Sequence, residues 1–314
     1  MNIKEFTALA AEEVLKRLRE EGNETVDVRP AEVMKMNDRK MFGLTFHTGE
    51  DPAPTFYVNG MFDLYNAGED TDSLIRQLVW AYRDGMADAP VPEEVPDMEF
   101  SKAKARAGLR LVGKEYNKEF LKTVPFRDVG NGYALICDLQ IDASDGGVFS
   151  TVVTNGLAAD YGYDMGELFE AALENAWISN SASLNPASRL MDFEEEQERT
   201  ECKEACYVLT TNRERYGAAA LFYPGTKAMI AHVLEEDYIA IPSSLHEFII
   251  IRASQVKDQE HLQRLVLEAN RRIVCPEDVL SDDVLRYSRQ TGELCALPPV
   301  EDIDTGAEYE SFAG

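Results

Sequence analysis

The interval from Ala87 to Asp97 constrains this chain more than any other stretch, because Pro90, Pro92 and Pro96 stand there among acidic residues. Proline fixes φ and supplies no backbone N–H, so a run this dense suits neither a helix interior nor a central strand. The interval predicts a linker. It divides the 314-residue chain into a unit over 1–86, the linker over 87–97, a larger domain over 98–297 and an acidic tail over 298–314. A hydrophobic content of 45% can supply a core for one large domain or two modest ones.

Ahead of the linker, Ile3, Phe6, Leu9, Ala10, Val14, Leu15 and Leu18 recur at the spacing of one helical face, with Glu5, Glu12, Lys16 and Arg19 on the other. Three strand-like stretches follow, Val26 to Met36, Lys40 to His47 and Thr55 to Val58. Asn37-Asp38 and the run Thr48 to Pro54 supply turn chemistry between them. Asp70-Thr71-Asp72-Ser73 can cap a helix carrying Leu74, Ile75, Leu78, Val79 and Tyr82. The result is a small α-β-β-β-α unit.

Beyond the linker, strands are predicted at Leu109 to Val112, Tyr133 to Leu139, Phe149 to Thr154, Cys206 to Thr210, Tyr238 to Ile241 and Phe248 to Arg252. Helices are predicted at Asn117 to Thr123, Met165 to Ser179, Thr226 to Leu234 and Gln259 to Arg272, and Asn180 to Glu204 reads as an excursion or loop. Helix and strand do not alternate regularly, so a doubly wound parallel sheet is not the expected architecture. The fold class is α+β, a small N-terminal unit followed by a larger mixed α/β unit.

Against 31 basic residues stand 57 acidic ones, a formal net charge of -26. That disfavours direct nucleic-acid binding, which needs cationic side chains to displace phosphate counterions. Much of the excess lies in residues 84–100, 191–201 and 301–314, which weakens the idea of a DNA mimic acting on a DNA-binding protein. No apolar run is long enough to span a bilayer, and the N-terminus lacks the pattern of a signal peptide. Cys137, Cys202, Cys206, Cys275 and Cys295 form no framework. These features predict a cytoplasmic protein in a reducing compartment.

Several stretches together resemble the bacterial family catalogued as domain of unknown function 5688: PTFYVNGMFDLYNAGED from residue 54, LVGKEYNKEFLKTVPFRDV from 111, YVLTTNRERYGAAALFYPG from 207, IAIPSSLHEFIII from 239 and PEDVLSDDVLRYSRQTGEL from 276. The C-terminal half is more distantly similar to domain of unknown function 1444. The first resemblance implies a bacterial protein of the anaerobic gut. Neither implies a reaction, cofactor or catalytic residue.

Chemistry must therefore come from the residues. Ser243-Ser244-Leu245-His246-Glu247 lies between two apolar runs, so a turn there can present Ser243 or Ser244 as nucleophile and His246 as base. Neighbours on a strand face opposite ways, which places Glu247 badly for His246, and a third group must come from elsewhere. The bland alternative is a structural turn.

His47, His232, His246 and His261 are scattered, and Cys202 with Cys206 gives only two thiols, so neither a metal nor a cofactor is expected. Asp282-Asp283 after Ser281, and Asp142 to Asp145, read as hard-cation candidates or as turn chemistry. Tyr223-Pro224-Gly225-Thr226-Lys227 can hold an anion at a helix start, with Lys227 adding charge, or simply reverse the chain. Arg213, Arg215, Arg252, Arg271, Arg272, Arg286 and Arg289 stand out in an acidic chain. If the segments of Arg252, Arg286 and Arg289 adjoin, they offer a basic pocket or an internal ion-pair network. The leading expectation is a noncatalytic binding or regulatory protein with an unknown protein or small-molecule partner. A hydrolase using Ser243 to Glu247 is the enzymatic alternative.

Overall fold

A computed structural model describes residues 1–49, 55–88, 97–142, 148–189 and 206–299. Packing divides the chain into two compact units, Met1–Asp128 with Ala134–Ile178, and Val129–Tyr133 with Ser179–Gly314.

The first unit opens on helix α1 (Ile3–Glu20), started by a capping box in which the Asn2 side chain accepts the Glu5 N–H and Glu5 reaches back to the Asn2 N–H. Its buried stripe of Phe6, Ala10, Ala11, Val14 and Leu18 is close to the predicted face, although Leu9 stays exposed. That stripe packs on an antiparallel sheet of β1 (Asp27–Lys35), β2 (Arg39–His47) and β3 (Thr55–Tyr57), in the order β1-β2-β3. Helix α3 (Thr71–Asp88) adds Leu74, Ile75, Leu78, Val79 and Tyr82 to the same core.

Helix α2 (Asn59–Asn66), between β3 and α3, was not expected. The Val58 N–H makes one last sheet bond to the Phe42 carbonyl, and the Asn59 side chain then accepts the Phe42 N–H at 2.8 Å. This side-chain bond completes the edge of the sheet where the backbone turns away into the helix.

A second sheet in this unit holds β4 (Ala107–Gly113), β5 (Phe126–Gly130), β6 (Tyr133–Asp142) and β7 (Val148–Val152), ordered β4-β6-β5 with β7 also on β6. Helices α4 (Phe100–Arg106), α5 (Asn155–Asp160) and α6 (Met165–Ser179) accompany it. Inside it Arg110 Nε meets Asp138 Oδ2 at 2.9 Å, and both residues are buried. Where a helix was predicted from Asn117 to Thr123, only a 3-10 turn forms, Phe120–Lys122. Two features explain its shortness. Asp38 caps its start from outside, and Pro125 follows too closely for a longer helix.

Those contacts come from the turn between β1 and β2. Asn37 and Asp38 are left-handed there, with φ of 57° and 49°, a conformation these two residue types tolerate. The Asn37 N–H donates to Asn117 Oδ1 at 2.7 Å, and Asn117 Nδ2 donates back to Asn37 Oδ1 at 2.9 Å. The Asp38 carboxylate accepts the N–H groups of Glu119 and Phe120, the latter at 2.7 Å. Met34 and Met36 pack beside the turn against Val112, Phe120, Leu121, Val124, Ala134 and Ile136. The N-terminal sheet is thus bonded to residues beyond the proline-rich interval. Residues 89–96 of that interval, and the acidic tail from residue 300, lie outside the described residues.

The second unit is built on a six-stranded antiparallel sheet in the order β13-β12-β10-β11-β9-β8. Its strands are β8 (Ala182–Pro186), β9 (Cys206–Thr211), β10 (Tyr238–Ser244), β11 (Glu247–Arg252), β12 (Leu285–Tyr287) and β13 (Leu294–Ala296). β8 corrects the reading of Asn180 to Glu204 as a loop at its start, while residues 190–205 lie outside the described set. Ile239, Ile241 and Ile251 face the helix Gln259–Arg272 through Val266 and Leu262. On the opposite side Phe248 meets the ring of Tyr133, which also packs on Phe222. Among the described residues, no helix is long and apolar enough to cross a membrane.

Candidate functional site

Ser243 to Glu247 form the tip of the β10–β11 hairpin. Pairing shifts between Pro242 and Ser244, leaving Leu245 and His246 as the turn between Ser244 and Glu247. Leu245 is buried; its N–H donates to the Asp278 carbonyl at 2.9 Å and its carbonyl accepts the Ala218 N–H. This anchors the tip on two other segments.

His246 is the hub of the tip. Its N–H donates to Ser244 Oγ at 3.1 Å, and its carbonyl accepts from Thr210 Oγ1 at 2.9 Å. On the ring, Nδ1 accepts the backbone N–H of Tyr216 at 3.0 Å, while Nε2 lies 3.6 Å from Asp278 Oδ1. An Nδ1 that accepts leaves the proton of the neutral ring on Nε2, directed at the carboxylate. The Tyr216 ring stacks beside the imidazole at 5.3 Å, with the Arg215 guanidinium 5.2 Å above that tyrosine.

Tyr216 holds a left-handed backbone, φ 52°. For a non-glycine residue this costs on the order of 1 kcal/mol, and a single ordinary hydrogen bond contributes about as much. The bond to His246 and the strain beside it are therefore of one size. Gly217 follows, where an added Cβ would lie 2.6 Å from the His246 carbonyl oxygen and 2.7 Å from the Thr211 nitrogen. Glycine is needed because the backbones approach so closely.

The carboxylate that faces the His246 ring is that of Asp278, from the loop ahead of β12. Glu247 instead accepts from Ser243 Oγ at 3.1 Å. Ser244 Oγ faces the His246 backbone, so among the described residues no hydrogen bond joins either hydroxyl to the imidazole. The imidazole and Asp278 side chains remain about a third exposed, 34% and 38%. The tip therefore presents an oriented set of polar groups rather than a bonded serine–imidazole pair.

The arginine segments do adjoin, through β10, but they divide. Arg252 stands opposite Tyr238, whose other neighbour is Tyr287, whereas Arg286 stands opposite Ile239. Residues directly opposite share a face, so Arg252 and Arg286 point to opposite faces of the sheet. Arg252 reaches Glu236 at 3.4 Å and Arg286 reaches Asp237 at 3.2 Å. The Arg289 N–H donates to the other Asp237 oxygen at 2.9 Å, and its guanidinium bonds the Glu235 carbonyl. The Arg289 N–H, followed by the Arg286 guanidinium, holds the Asp237 carboxyl below its ordinary range. Register and ion pairing thus set Arg252 on Glu236 and Arg286 on Asp237, on opposite faces of the sheet.

Lys227 sits in the first turn of the helix Thr226–Leu234, its ammonium 5.7 Å from the Phe222 ring. Gly225 before it is left-handed, as a Pro-Gly reversal requires. Ser281 Oγ accepts the Asp283 N–H, and Asn270 donates to the Ser281 carbonyl and to Asp282 Oδ1, a braced bend. No group of three or more metal-ligating side chains occurs among the described residues. The segment 143–147 and Cys202 fall outside them. Cys137 is buried, and loss of solvent pushes its thiol up. In the first unit a groove of about 380 Å³ runs between Phe126, Arg127, Met165 and Phe169 and contains none of the predicted site residues.

Fold and site define an α+β protein with antiparallel sheets and a polar hairpin tip hinged on one histidine. The chain belongs to the family of unknown function DUF5688, whose model matches residues 3–289. The distant likeness to domain of unknown function 1444 is not shown. No curated protein and no solved structure matches the chain.

Proposed function

We propose that this is a noncatalytic binding protein that offers the β10–β11 tip, with His246, Glu247, Tyr216 and Asp278, to a protein or small-molecule partner. One observation carries the reading: Nδ1 of the imidazole accepts the Tyr216 N–H and Nε2 faces Asp278 at 3.6 Å, while each serine hydroxyl is bonded elsewhere. Side chains fixed in this way are oriented to accept and donate hydrogen bonds at a half-exposed surface. The test is recovery of a partner or retained ligand from native lysate on the immobilised full chain, compared with a His246→Ala/Glu247→Ala variant. Recovery that the variant loses supports the reading. Recovery undiminished in the variant, or none by either protein, counts against it.

A hydrolase is the second reading, and Asp278 favours it by standing where a group orienting His246 is needed. It requires the imidazole to leave Tyr216 and face a hydroxyl. Hydrolysis of an ester panel by the wild type, abolished separately by Ser243→Ala or Ser244→Ala and by His246→Ala, would establish it over the first.

A further inference from the structure

We propose that the groove between the start of β5 and the first turns of α6 binds a small organic monocarboxylate with an apolar, preferably aromatic, body. The groove lies wholly within the first unit and owes nothing to the hairpin tip.

Val124, Phe126 and Arg127 stand on one side of it, and Met165, Gly166 and Phe169 on the other. Its volume of about 380 Å³ falls at the lower end of the range for small-molecule sites, about 300 to 1,000 Å³. Val124 and Phe169 are buried, but Phe126 keeps 46% of its surface exposed. A ligand with a flat apolar body would take that aromatic surface out of water.

Among the described residues that line the groove, Arg127 alone is charged. Its guanidinium carbon lies 4.9 Å from the centre of the Phe169 ring, whose face favours a cation, and Nη1 lies 2.9 Å from Glu170 Oε1. Arginine carries five N–H donors in a planar fork, and the Glu170 pair uses the Nη1 end, so a second carboxylate can be received beside it. Glu170 is a weak competitor, because its side chain is 65% exposed and an ion pair so open to solvent contributes little. An apolar groove with one cation that still has donors to give is complementary to an apolar acid.

The neighbouring acids decide how much charge the ligand carries. Glu167 is neutralised by Lys104 at 2.9 Å, whereas Asp164 caps α6 by accepting the Glu167 N–H at 3.0 Å. An added Cβ on Gly166 would lie 3.1 Å from Asp164 Oδ1, so that carboxylate borders the groove. A dianion such as a phosphate ester would find the same single cation and twice the repulsion from Asp164 and Glu170. A single negative charge fits.

Titration of the nitrogen-15-labelled full chain with 4-phenylbutyrate, followed by amide NMR, tests this. Saturable shifts are expected at Phe126, Arg127, Gly166 and Phe169, with a dissociation constant of about 1 mM or tighter for a ligand of this size. The uncharged 4-phenylbutanamide should bind about tenfold more weakly, for want of the charge-assisted bonds. Acetate, which lacks the apolar body, should give no saturable shift, and 4-phenylbutyl phosphate should bind more weakly than the carboxylate. Arg127→Met keeps an apolar stem and should lower the affinity for phenylbutyrate to that for the amide. Glu170→Gln removes the competing carboxylate and should tighten phenylbutyrate about twofold to fivefold while leaving the amide unchanged.

No saturable shift at the groove with phenylbutyrate, equal affinity for acid and amide, or undiminished affinity in Arg127→Met overturns the site. Acetate or the phosphate ester binding as tightly as phenylbutyrate overturns the assignment of an apolar monocarboxylate. Should Arg127→Met fail to fold, Glu170→Gln decides: tighter binding of the acid alone supports the site, and unchanged or weaker binding overturns it. Neither result bears on lysate capture through His246 and Glu247, so the two readings stand or fall separately.

Discussion

The two hairpin tips, Met36 to Asp38 between β1 and β2 and Leu245 to His246 between β10 and β11, solve one problem with different chemistry. Each reaches a segment far along the chain and accepts a backbone N–H from it. At the first, a carboxylate accepts two N–H groups, those of Glu119 and Phe120, and the left-handed strain falls on Asn37 and Asp38, which bear it well. At the second, one imidazole nitrogen accepts one N–H, and the strain falls on a tyrosine. The first arrangement is a fastening. The second is poised, because a single accepted bond and the strain beside it are of one size.

The strongest way to break this contrast is at Gly217. Gly217→Ala places a Cβ against the backbone of His246 and Thr211, where neither neighbour is a flexible side chain, and is expected to destabilise the chain by about 2 to 3 kcal/mol in urea unfolding. A loss under about 0.5 kcal/mol would mean that the two backbones part easily, and the tip would not be poised.

Next comes the fastening itself. Asp38→Ala removes the acceptor for two N–H groups at the start of a 3-10 turn and is expected to cost about 1 to 2 kcal/mol. It should also lower exchange protection at Glu119 and Phe120 without touching Tyr216. His246→Ala removes a single ordinary bond and the ring stacking, but it also relieves Tyr216, so about 1 kcal/mol or less is expected. If His246→Ala costs more than Asp38→Ala, the roles of the two tips have been assigned the wrong way round.

The smallest effect is expected at Asp237. Its folded carboxyl lies below the ordinary range, so its contribution is complete above the unfolded value and is lost as pH falls through the folded one. Stability should therefore decline below about pH 4, and Asp237→Asn should make that acid limb shallower. Because the group is only partly buried, the change should shrink further in high salt. An unchanged acid limb would show that the Arg286 and Arg289 contacts are idle.

Sequence patterning reached the first unit more completely than the second, for physical reasons. α1 and α3 carry broad apolar stripes, and β1 and β2 are long enough to alternate visibly. β12 and β13 have three residues each, too few for a period to register, and β8 is half-buried along its length. At the candidate site, the turn and His246 were legible because polar residues interrupt two apolar runs. Asp278 was not, since only tertiary folding brings it to the ring. The parity that separates Arg252 from Arg286 is a property of strand register, and no local spacing carries it. Tyr216 gave no signal either. Its strained backbone follows from the partner it meets.

The Asn37–Asp38 contact also bears on how this polypeptide can be cut and rejoined. Met34, Met36, Asn37 and Asp38 on one side, and Asn117, Glu119, Phe120 and Leu121 on the other, form a mating surface within the first unit. Two separately expressed polypeptides, residues 1–88 and 97–314, should therefore recognise each other and co-purify as a complemented pair, and Asp38→Ala should weaken their association.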